Sequence, residues 1–264
     1  MDMELRDRRA LITGSTAGIG FAIARGLAAE GARVILNGRT AESVERAIAR
    51  LGQEVPGAKV EGAVGDASKA EEVQQVLSRF PEVDILVNNL GTFELKPFAD
   101  ITDADWSRIF ETNVMSGVRF SRHYAAGMRK QGWGRILFVS SEAAQRVPKD
   151  LIHYAVTKTA QLTLARGLAI DLAGTGVTVN SILPGPTRTE YVAGRMQMGA
   201  KHMGRTVEEI EAARMSTHAP TSLIRRFSTP EEVANLAVYL CSPKSSSTTG
   251  AALRVDGGVL DTVV

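Results

Sequence analysis

The chain predicts one doubly wound α/β domain, with a mainly parallel sheet and helices on both faces, spanning residues 1–264. Three observations predict it. Seven short apolar runs recur along the chain, and several are unbroken Val/Ile/Leu stretches, as expected where helices cover both faces of a parallel sheet. Longer helical stretches separate these runs. A glycine-rich turn joins the first run to the first helix, the position where open α/β sheets bind phosphates.

The strand candidates, in order, are Ala10–Thr13, Arg33–Leu36, Lys59–Ala63, Ile85–Val87, Arg135–Val139, Val177–Ile182 and Ala252–Val255. Several helix starts are also legible. Ser68-Lys69-Ala70-Glu71 and Thr206-Val207-Glu208-Glu209 have the form of a capping box. Thr229-Pro230-Glu231-Glu232 adds proline at the first helical position. The stretch 190–226 interrupts the alternation and carries Met196, Met198, Met203 and Met215. It reads as a helical insertion at one end of the sheet, either simply packed there or closing as a lid whose soft methionines adapt to a substrate. Ser242–Thr249 is polar and reads as a loop before the last strand.

Composition excludes several classes of function. The 31 basic and 29 acidic residues leave a net charge of +2, too small and too mixed for electrostatic capture of nucleic acid or an anionic membrane. With 44% hydrophobic and 23% charged residues, the chain has globular rather than disordered composition. Its single cysteine, Cys241, excludes an internal disulfide and reads as a buried thiol. That suits a reducing, cytoplasmic setting. No apolar run reaches the roughly 18 residues of a membrane span, and the charged start shows no secretory signal. His123, His153, His202 and His218 have no metal-ligand spacing, so no metal is expected. Trp106 and Trp133 read as packing residues.

Thr13-Gly14-Ser15-Thr16-Ala17-Gly18-Ile19-Gly20 has the spacing G-x3-G-x-G. Its glycines allow a tight turn and a close backbone approach to a pyrophosphate, while the following helix offers free N–H groups. Gly14, Ser15, Thr16, Gly18, Ile19 and Gly20 are therefore candidate cofactor residues. The second strand runs into Asn37-Gly38-Arg39 without an acidic residue for a ribose 2′-hydroxyl. Arg39 instead offers its guanidinium to a 2′-phosphate. This favours NADP(H), with NAD(H) possible.

Tyr154 and Lys158 lie four residues apart in a helical stretch, so they share a face. An ammonium beside a phenol favours the phenolate and lowers its pKa, making the pair an acid–base candidate. Ser141 ends the fifth strand, where its hydroxyl could hold the same substrate oxygen. Ser140 should point the other way, as strand neighbours do.

With these motifs in order, the chain resembles the short-chain dehydrogenase/reductase family nearly end to end, from the glycine loop to Asp256-Gly257-Gly258. The resemblance implies a Rossmann-like, seven-stranded sheet and hydride transfer between a nicotinamide and a carbonyl or secondary alcohol. It implies that Tyr154 is the acid–base, Ser141 orients the substrate oxygen, and Lys158 binds the nicotinamide ribose. Asn113, in Thr112-Asn113-Val114, matches the asparagine that supports a relay water. Asp66 matches an adenine contact, and Asn88-Asn89-Leu90-Gly91 matches the turn after the fourth strand. Here Leu90 replaces the usual alanine, which alters the cofactor wall. Asn180 and Pro184-Gly185-Pro186-Thr187-Arg188-Thr189 match the segment over the nicotinamide, with Thr187 near the carboxamide and Thr189 near a phosphate. A homotetramer or homodimer is implied, packed through helices around Thr102–Lys130 and His153–Gly174.

The substrate pocket should draw on Phe93, Glu94, Glu142, Gln145, Arg146, Val147 and Leu151. Arg188 is a candidate for an anionic substrate group, whereas the methionines argue for an apolar one. A 3-oxoacyl-thioester reductase is the alternative activity. A non-catalytic NADP-binding sensor is disfavoured because Asn113, Ser141, Tyr154 and Lys158 are all present. A P-loop phosphotransferase is excluded, since G-x4-G-K-[ST] is absent.

Overall fold

The structure is a computed structural model that describes residues 2–263. Its strands are β1 (Arg9–Ile12), β2 (Arg33–Gly38), β3 (Lys59–Val64), β4 (Ile85–Asn88), β5 (Gly134–Val139), β6 (Val177–Pro184) and β7 (Ala252–Val255). They form one sheet in the order β3-β2-β1-β4-β5-β6-β7. Every neighbouring pair is parallel. Each expected strand is present, and several extend by one or two residues. The strand order reverses between β1 and β4, so the carboxyl ends of those strands open the crevice where such sheets bind ligands.

The helices are α1 (Gly18–Ala29), α2 (Ala41–Glu54), α3 (Ala70–Arg79), α4 (Asp103–Phe110), α5 (Ser116–Gln131), α6 (Ile152–Asp171), α7 (Glu190–Met203), α8 (Val207–His218) and α9 (Pro230–Cys241). Alternate strand residues feed two apolar layers, because successive side chains leave a strand on opposite faces. Ala10, Ile12, Ile85, Val87, Leu137 and Val139 pack with α1, α2 and α9. Leu11, Leu86, Ile136 and Phe138 pack with α3, α5 and α6 on the other face. Each fully buried Ile or Leu contributes about 1.5–3 kcal/mol.

Two of the three expected helix caps form as capping boxes, at Thr206 with Glu209 and at Thr229 with Glu232. The third does not. Ser68 donates its hydroxyl to Asp66 Oδ1 (2.7 Å), and α3 begins after Lys69 without a side-chain cap. Asp66 lies two residues upstream and takes Ser68 into a local turn, while Glu72, rather than Glu71, reaches back to the Asp66 N–H (2.7 Å). The 190–226 stretch is largely helical, with α7 ending at Gly204 in a left-handed cap before α8. Between α4 and α5, Glu111–Met115 forms a π-helical turn that carries Asn113.

Candidate active site

The glycine loop is shaped by its neighbours. Gly14 and Gly18 both have φ +59°, the left-handed region in which a side chain is strained. A Cβ on Gly20 would run into the Asn89 side chain and the Gly14 carbonyl. Ser15 is fully buried, and its hydroxyl bridges the Ile12 carbonyl (2.7 Å) and the Asn37 N–H (3.0 Å). Asn37 accepts from the Gly14 N–H (3.2 Å) and donates to the carbonyls of Ala63 (2.9 Å) and Gly65 (3.0 Å). Asn89 donates to the carbonyls of Thr13 (2.9 Å) and Gly14 (3.0 Å). The side chains of Ser15, Asn37 and Asn89 therefore brace the loop.

Beside the loop lies a cleft of about 270 Å³, bordered by Thr16, Arg39, Asp66, Leu90 and Gly91. Burial raises the Asp66 pKa, but Ser68 hydrogen bonds and the charges of Lys69 and Arg39 outweigh it, so the net shift is downward. Leu90 lies against Gly14 and forms part of this wall. No side chain at Ala17 caps α1; instead the Glu190 carboxylate, an anion from α7, accepts from the Gly18 N–H (2.9 Å) at the helix start. A side chain on Gly91 would press against the Lys158 ammonium. The glycine loop, the helix start with its affinity for a carboxylate, and the cleft thus have the chemistry and shape to hold a dinucleotide.

A second cavity of about 310 Å³ lies past the turn after β4 and is lined by Ile19, Phe93, Ser141, Glu142, Leu151 and Tyr154. Pro184, Gly185, Thr187 and Thr189 close its far wall. The Phe93 ring meets the Tyr154 ring edge-on, with centroids 6.0 Å apart. Lys158 and Asn113 are buried behind the cavity. Asn113 donates to the Thr92 carbonyl (2.9 Å) and to Thr157 Oγ1 (3.0 Å), and accepts from the Thr92 N–H (2.8 Å). The Ser140 hydroxyl donates to the Lys158 carbonyl (2.9 Å), tying α6 to the segment just past β5, although Ser140 also borders the cavity. The four expected catalytic residues therefore converge from α6, the π-turn and the segment after β5; Ser141 does not end that strand, which stops at Val139, but caps the short 3-10 turn Glu142–Ala144.

One electrostatic expectation is corrected. Lys158 does not pull the Tyr154 pKa below its ordinary value here. Burial pushes that pKa up, the Ser141 hydroxyl opposes the shift by hydrogen bonding, and the Glu142 charge adds to it. Burial also lowers the Lys158 pKa to about 7, with Glu142 acting in the opposite direction. The Lys158 ammonium lies 5.6 Å from the Tyr154 ring centroid and donates to the Val139 carbonyl (2.9 Å) and Gln161 Oε1 (3.2 Å).

Several contacts escape a reading of the sequence. Gln161 links Lys158 to the Asn113 backbone carbonyl, to which its Nε2 donates at 2.6 Å. The usable signal was its position three residues after Lys158, on the same helical face. Glu190 accepts from the Gly18 N–H (2.9 Å) and pairs with Arg50 (2.9 Å), tying α7 to α1 and α2. Nothing local in the sequence links these three residues. Thr189 caps α7 through the Val192 N–H (3.3 Å), and the Thr187 hydroxyl donates to the Gly185 carbonyl (2.9 Å).

The rim also differs from expectation in places. Gln145 and Val147 are exposed, away from the lining of this cavity. Arg188 pairs with Glu211 on α8 (3.5 Å), which partly neutralises the charge considered for an anionic substrate. His153 is buried against Trp106 in an edge-on contact, and burial lowers its pKa. Trp133 lies under the guanidiniums of Arg8 and Arg135. Cys241 is fully buried, which pushes its thiol pKa up to about 12. Among the described residues, no group of three or more His, Cys, Asp or Glu side chains could hold a metal. None of their helices is long and apolar enough to cross a membrane.

Known proteins resemble this chain over nearly its whole length. A family model described as enoyl-(acyl carrier protein) reductase matches residues 14–260. The chain therefore belongs to the short-chain dehydrogenase/reductase family of oxidoreductases. It is 47% identical over 264 residues to the uncharacterized oxidoreductase YvrD of Bacillus subtilis (strain 168), covering 98% of this chain and 99% of that one. It is 34% identical over 259 residues to D-beta-hydroxybutyrate dehydrogenase of Cupriavidus necator, covering 96% and 98%. Among solved structures it resembles L-sorbose reductase from Gluconobacter frateurii, complexed with NADPH and L-sorbose. There the TM-score is 0.93 at 34% identity, with 100% of both chains covered.

Proposed function

We propose that this protein is an NADP(H)-dependent oxidoreductase that moves a hydride between the nicotinamide and a carbonyl or secondary alcohol, with Tyr154 as acid–base. The observation that carries this reading is the convergence of Ser141 and Tyr154 on one cavity, beside the glycine loop and in front of Lys158 and Asn113. The cofactor would lie along the glycine loop and the Arg39 cleft. Arg39 and Thr16 would receive the 2′-phosphate, and the first turn of α1 the pyrophosphate. Asp66 would contact the adenine end, and Thr187 and Lys158 the nicotinamide end. The bound nicotinamide supplies or accepts the hydride.

The chain's own residues handle the proton and the geometry. Ser141 positions the substrate oxygen beside the Tyr154 phenol. In reduction, Tyr154 donates its proton to that oxygen; its raised pKa keeps the proton in place at neutral pH. Phe93 and Leu151 shed water from the cavity, and α7 and α8 act as the lid. The protein works in the cytoplasm as one domain per chain. Its homodimer or homotetramer uses the apolar groove of Val118, Ala125, Leu164 and Leu168 between α5 and α6.

A small hydroxylated ketone is the leading substrate class, supported by the full-length likeness to L-sorbose reductase. A second reading, a 3-oxoacyl thioester, has its own observation. An outer hollow of about 370 Å³ joins Phe93, Leu95 and Tyr191 to the guanidiniums of Arg195 and Arg214, a surface suited to an acyl chain with a phosphate on its carrier arm.

The test follows NADPH and NADH consumption against keto-sugars, simple ketones, diketones and 3-oxoacyl thioesters. The reading expects turnover with NADPH, loss of at least about 100-fold in Tyr154→Phe, and retained NADPH binding in that variant. Faster turnover with NADH would overturn the role of Arg39. NADPH binding without turnover of any carbonyl would leave the protein a nucleotide sensor.

A further inference from the structure

The walls of the Tyr154 cavity are almost uncharged. Phe93, Pro148, Leu151 and Val192 supply apolar surface, while Ser141 and Thr187 add hydroxyls. Glu142, on the short turn after β5, is the one charged residue among those that line it. A carboxyl group in such a place is costly, and a cleft is where such a group finds a use.

The fold makes little use of it. Among the described residues, no lysine, arginine or histidine forms an ion pair with Glu142. Lys158 feels its charge from α6, but that ammonium donates to the Val139 carbonyl and Gln161 Oε1 instead. Burial pushes the Glu142 carboxyl above the usual range, and Asp256, just beyond β7, pushes it further. The Ser141 hydroxyl and the backbone N–H groups of Glu142 and Ala143 pull it back. Nor does the chemistry assigned to Ser141 and Tyr154 need a second acceptor. Glu142 is therefore free to read the substrate.

We propose that Glu142 selects the substrate by accepting a hydrogen bond from a hydroxyl on the carbon next to the carbonyl, which restricts the site to neutral α-hydroxyketones and the matching vicinal diols. The proposal rests on the reading of Ser141 and Tyr154 as the groups that hold the reacting oxygen.

An exchange of donors carries the argument. In the free site the Ser141 hydroxyl donates to Glu142 Oε2 at 2.7 Å, and its oxygen accepts from the Ala143 N–H at 3.1 Å. A hydroxyl has one hydrogen to donate, so Ser141 must turn it away from Glu142 to hold a carbonyl oxygen. A plain ketone then leaves the carboxyl without the donor it had. An α-hydroxyketone brings a replacement, its own hydroxyl. Ser141 Oγ and Glu142 Oε2 are 2.7 Å apart, so the two substrate oxygens they hold must also be close neighbours, as oxygens on adjacent carbons are. A site built around a substrate hydroxyl discriminates strongly against the analogue that lacks it, because a buried polar group is left unpaired.

The same carboxyl works against anions. The residues lining the cavity supply no cation, while Glu142 and the nearby Asp256 are both acidic. Arg188 pairs with Glu211, and Arg195 and Arg214 border the outer hollow instead. The two substrate readings thereby separate, since a 3-oxoacyl chain has no hydroxyl to offer Glu142.

Four matched ketones test this with NADPH: 2-pentanone, 1-hydroxy-2-pentanone, 5-hydroxy-2-pentanone and the anion 4-oxopentanoate. The parent should prefer 1-hydroxy-2-pentanone to 2-pentanone by about 100-fold or more in kcat/KM, lose most of that gain with the hydroxyl at the far end, and be slowest with the anion. Glu142→Leu should bring the first ratio to within about threefold of one. Glu142→Gln, which keeps an acceptor oxygen but no charge, should retain part of the hydroxyl preference and narrow the gap to the anion about tenfold. Thermal unfolding and NADPH affinity report whether each variant is intact, and Glu142→Gln decides if Glu142→Leu does not fold.

A parent without preference between 1-hydroxy-2-pentanone and 2-pentanone would overturn the proposal. So would a parent-like ratio in Glu142→Leu, or an unchanged gap to the anion in Glu142→Gln. Binding supplies a readout that needs no turnover. By ligand-observed NMR, the protein–NADPH complex, which has no oxidant for an alcohol, should bind 1,2-pentanediol at least about tenfold tighter than 2-pentanol, and Glu142→Leu should bind both alike. If the parent reduces no carbonyl at all, the functional reading fails instead, and the diol result still decides whether Glu142 reads a hydroxyl.

Discussion

The glycine-loop half of the molecule and the 190–226 segment are held in opposite ways. In the first, buried polar side chains stitch β1, β2, β3 and β4 together: Ser15 is 0% and Asn37 2% exposed, and each makes several hydrogen bonds. In the second, α7 and α8 bury only Met196, Ala200, Ile210 and Met215, while Met198 and Met203 stand 67% and 62% exposed. Its main tie to the nucleotide half is the half-exposed Glu190, bound to Gly18 and Arg50. The cleft beside the glycine loop is therefore prebuilt, whereas the 190–226 segment is lightly docked, as the proposed lid role requires.

That contrast can be broken at its rigid side first. Gly20→Val should overpack the loop against Asn89, destabilise the fold by about 1–3 kcal/mol and weaken NADPH binding more than tenfold. Thermal unfolding and fluorescence titration measure both, and parent-like affinity would show that the loop is more pliable than its hydrogen bonds suggest. Arg39→Ala should raise the KM for NADPH about tenfold and leave that for NADH unchanged, because only the 2′-phosphate loses its partner. Steady-state kinetics with both nucleotides checks this.

Lys158 lies buried beside Tyr154 and Gly91, and its burial gives a pH signature. Its amine titrates near 7 in the folded chain against 10.5 for the ordinary value. Between those values the unfolded chain holds the extra proton, so raising the pH favours the folded state. Denaturant unfolding of the free protein should show the parent gaining stability relative to Lys158→Met from about pH 7 up to about pH 10.5. A flat difference would mean that Lys158 is better solvated than its surroundings indicate. The smallest effect is expected at the lightly docked side. Glu190→Gln should cost about 0.2–1 kcal/mol, since the ion pair is half exposed. It should speed hydrogen exchange in α7 while leaving β1 and β4 unchanged. Equal effects in both regions would erase the distinction between them.

Much of this was legible along the chain because it depends on near neighbours. The seven strands follow from apolar runs, the caps at Thr206 and Thr229 from three-residue spacings, and the Tyr154–Lys158 pair from one helical turn. The Ser68 cap failed for a local reason, since Asp66 offers that hydroxyl a nearer acceptor. The pairing of Arg188 with Glu211 on α8 was illegible because it joins the segment before α7 to a distant helix.

The sequence by itself determined the order of elements, the glycine turn and the identity of the groups that meet at the cavity. These rest on periodicity, backbone dihedral limits and side-chain chemistry, which are properties of short segments. Only the tertiary structure decided how those groups are charged and connected. Burial raised the Tyr154 pKa and lowered that of Lys158, Gln161 closed onto Asn113 from 48 residues away, and Glu190 reached Gly18 across 172. Solvation and long-range hydrogen bonds depend on what the fold packs around a group, and that environment is not written in the group's own neighbours.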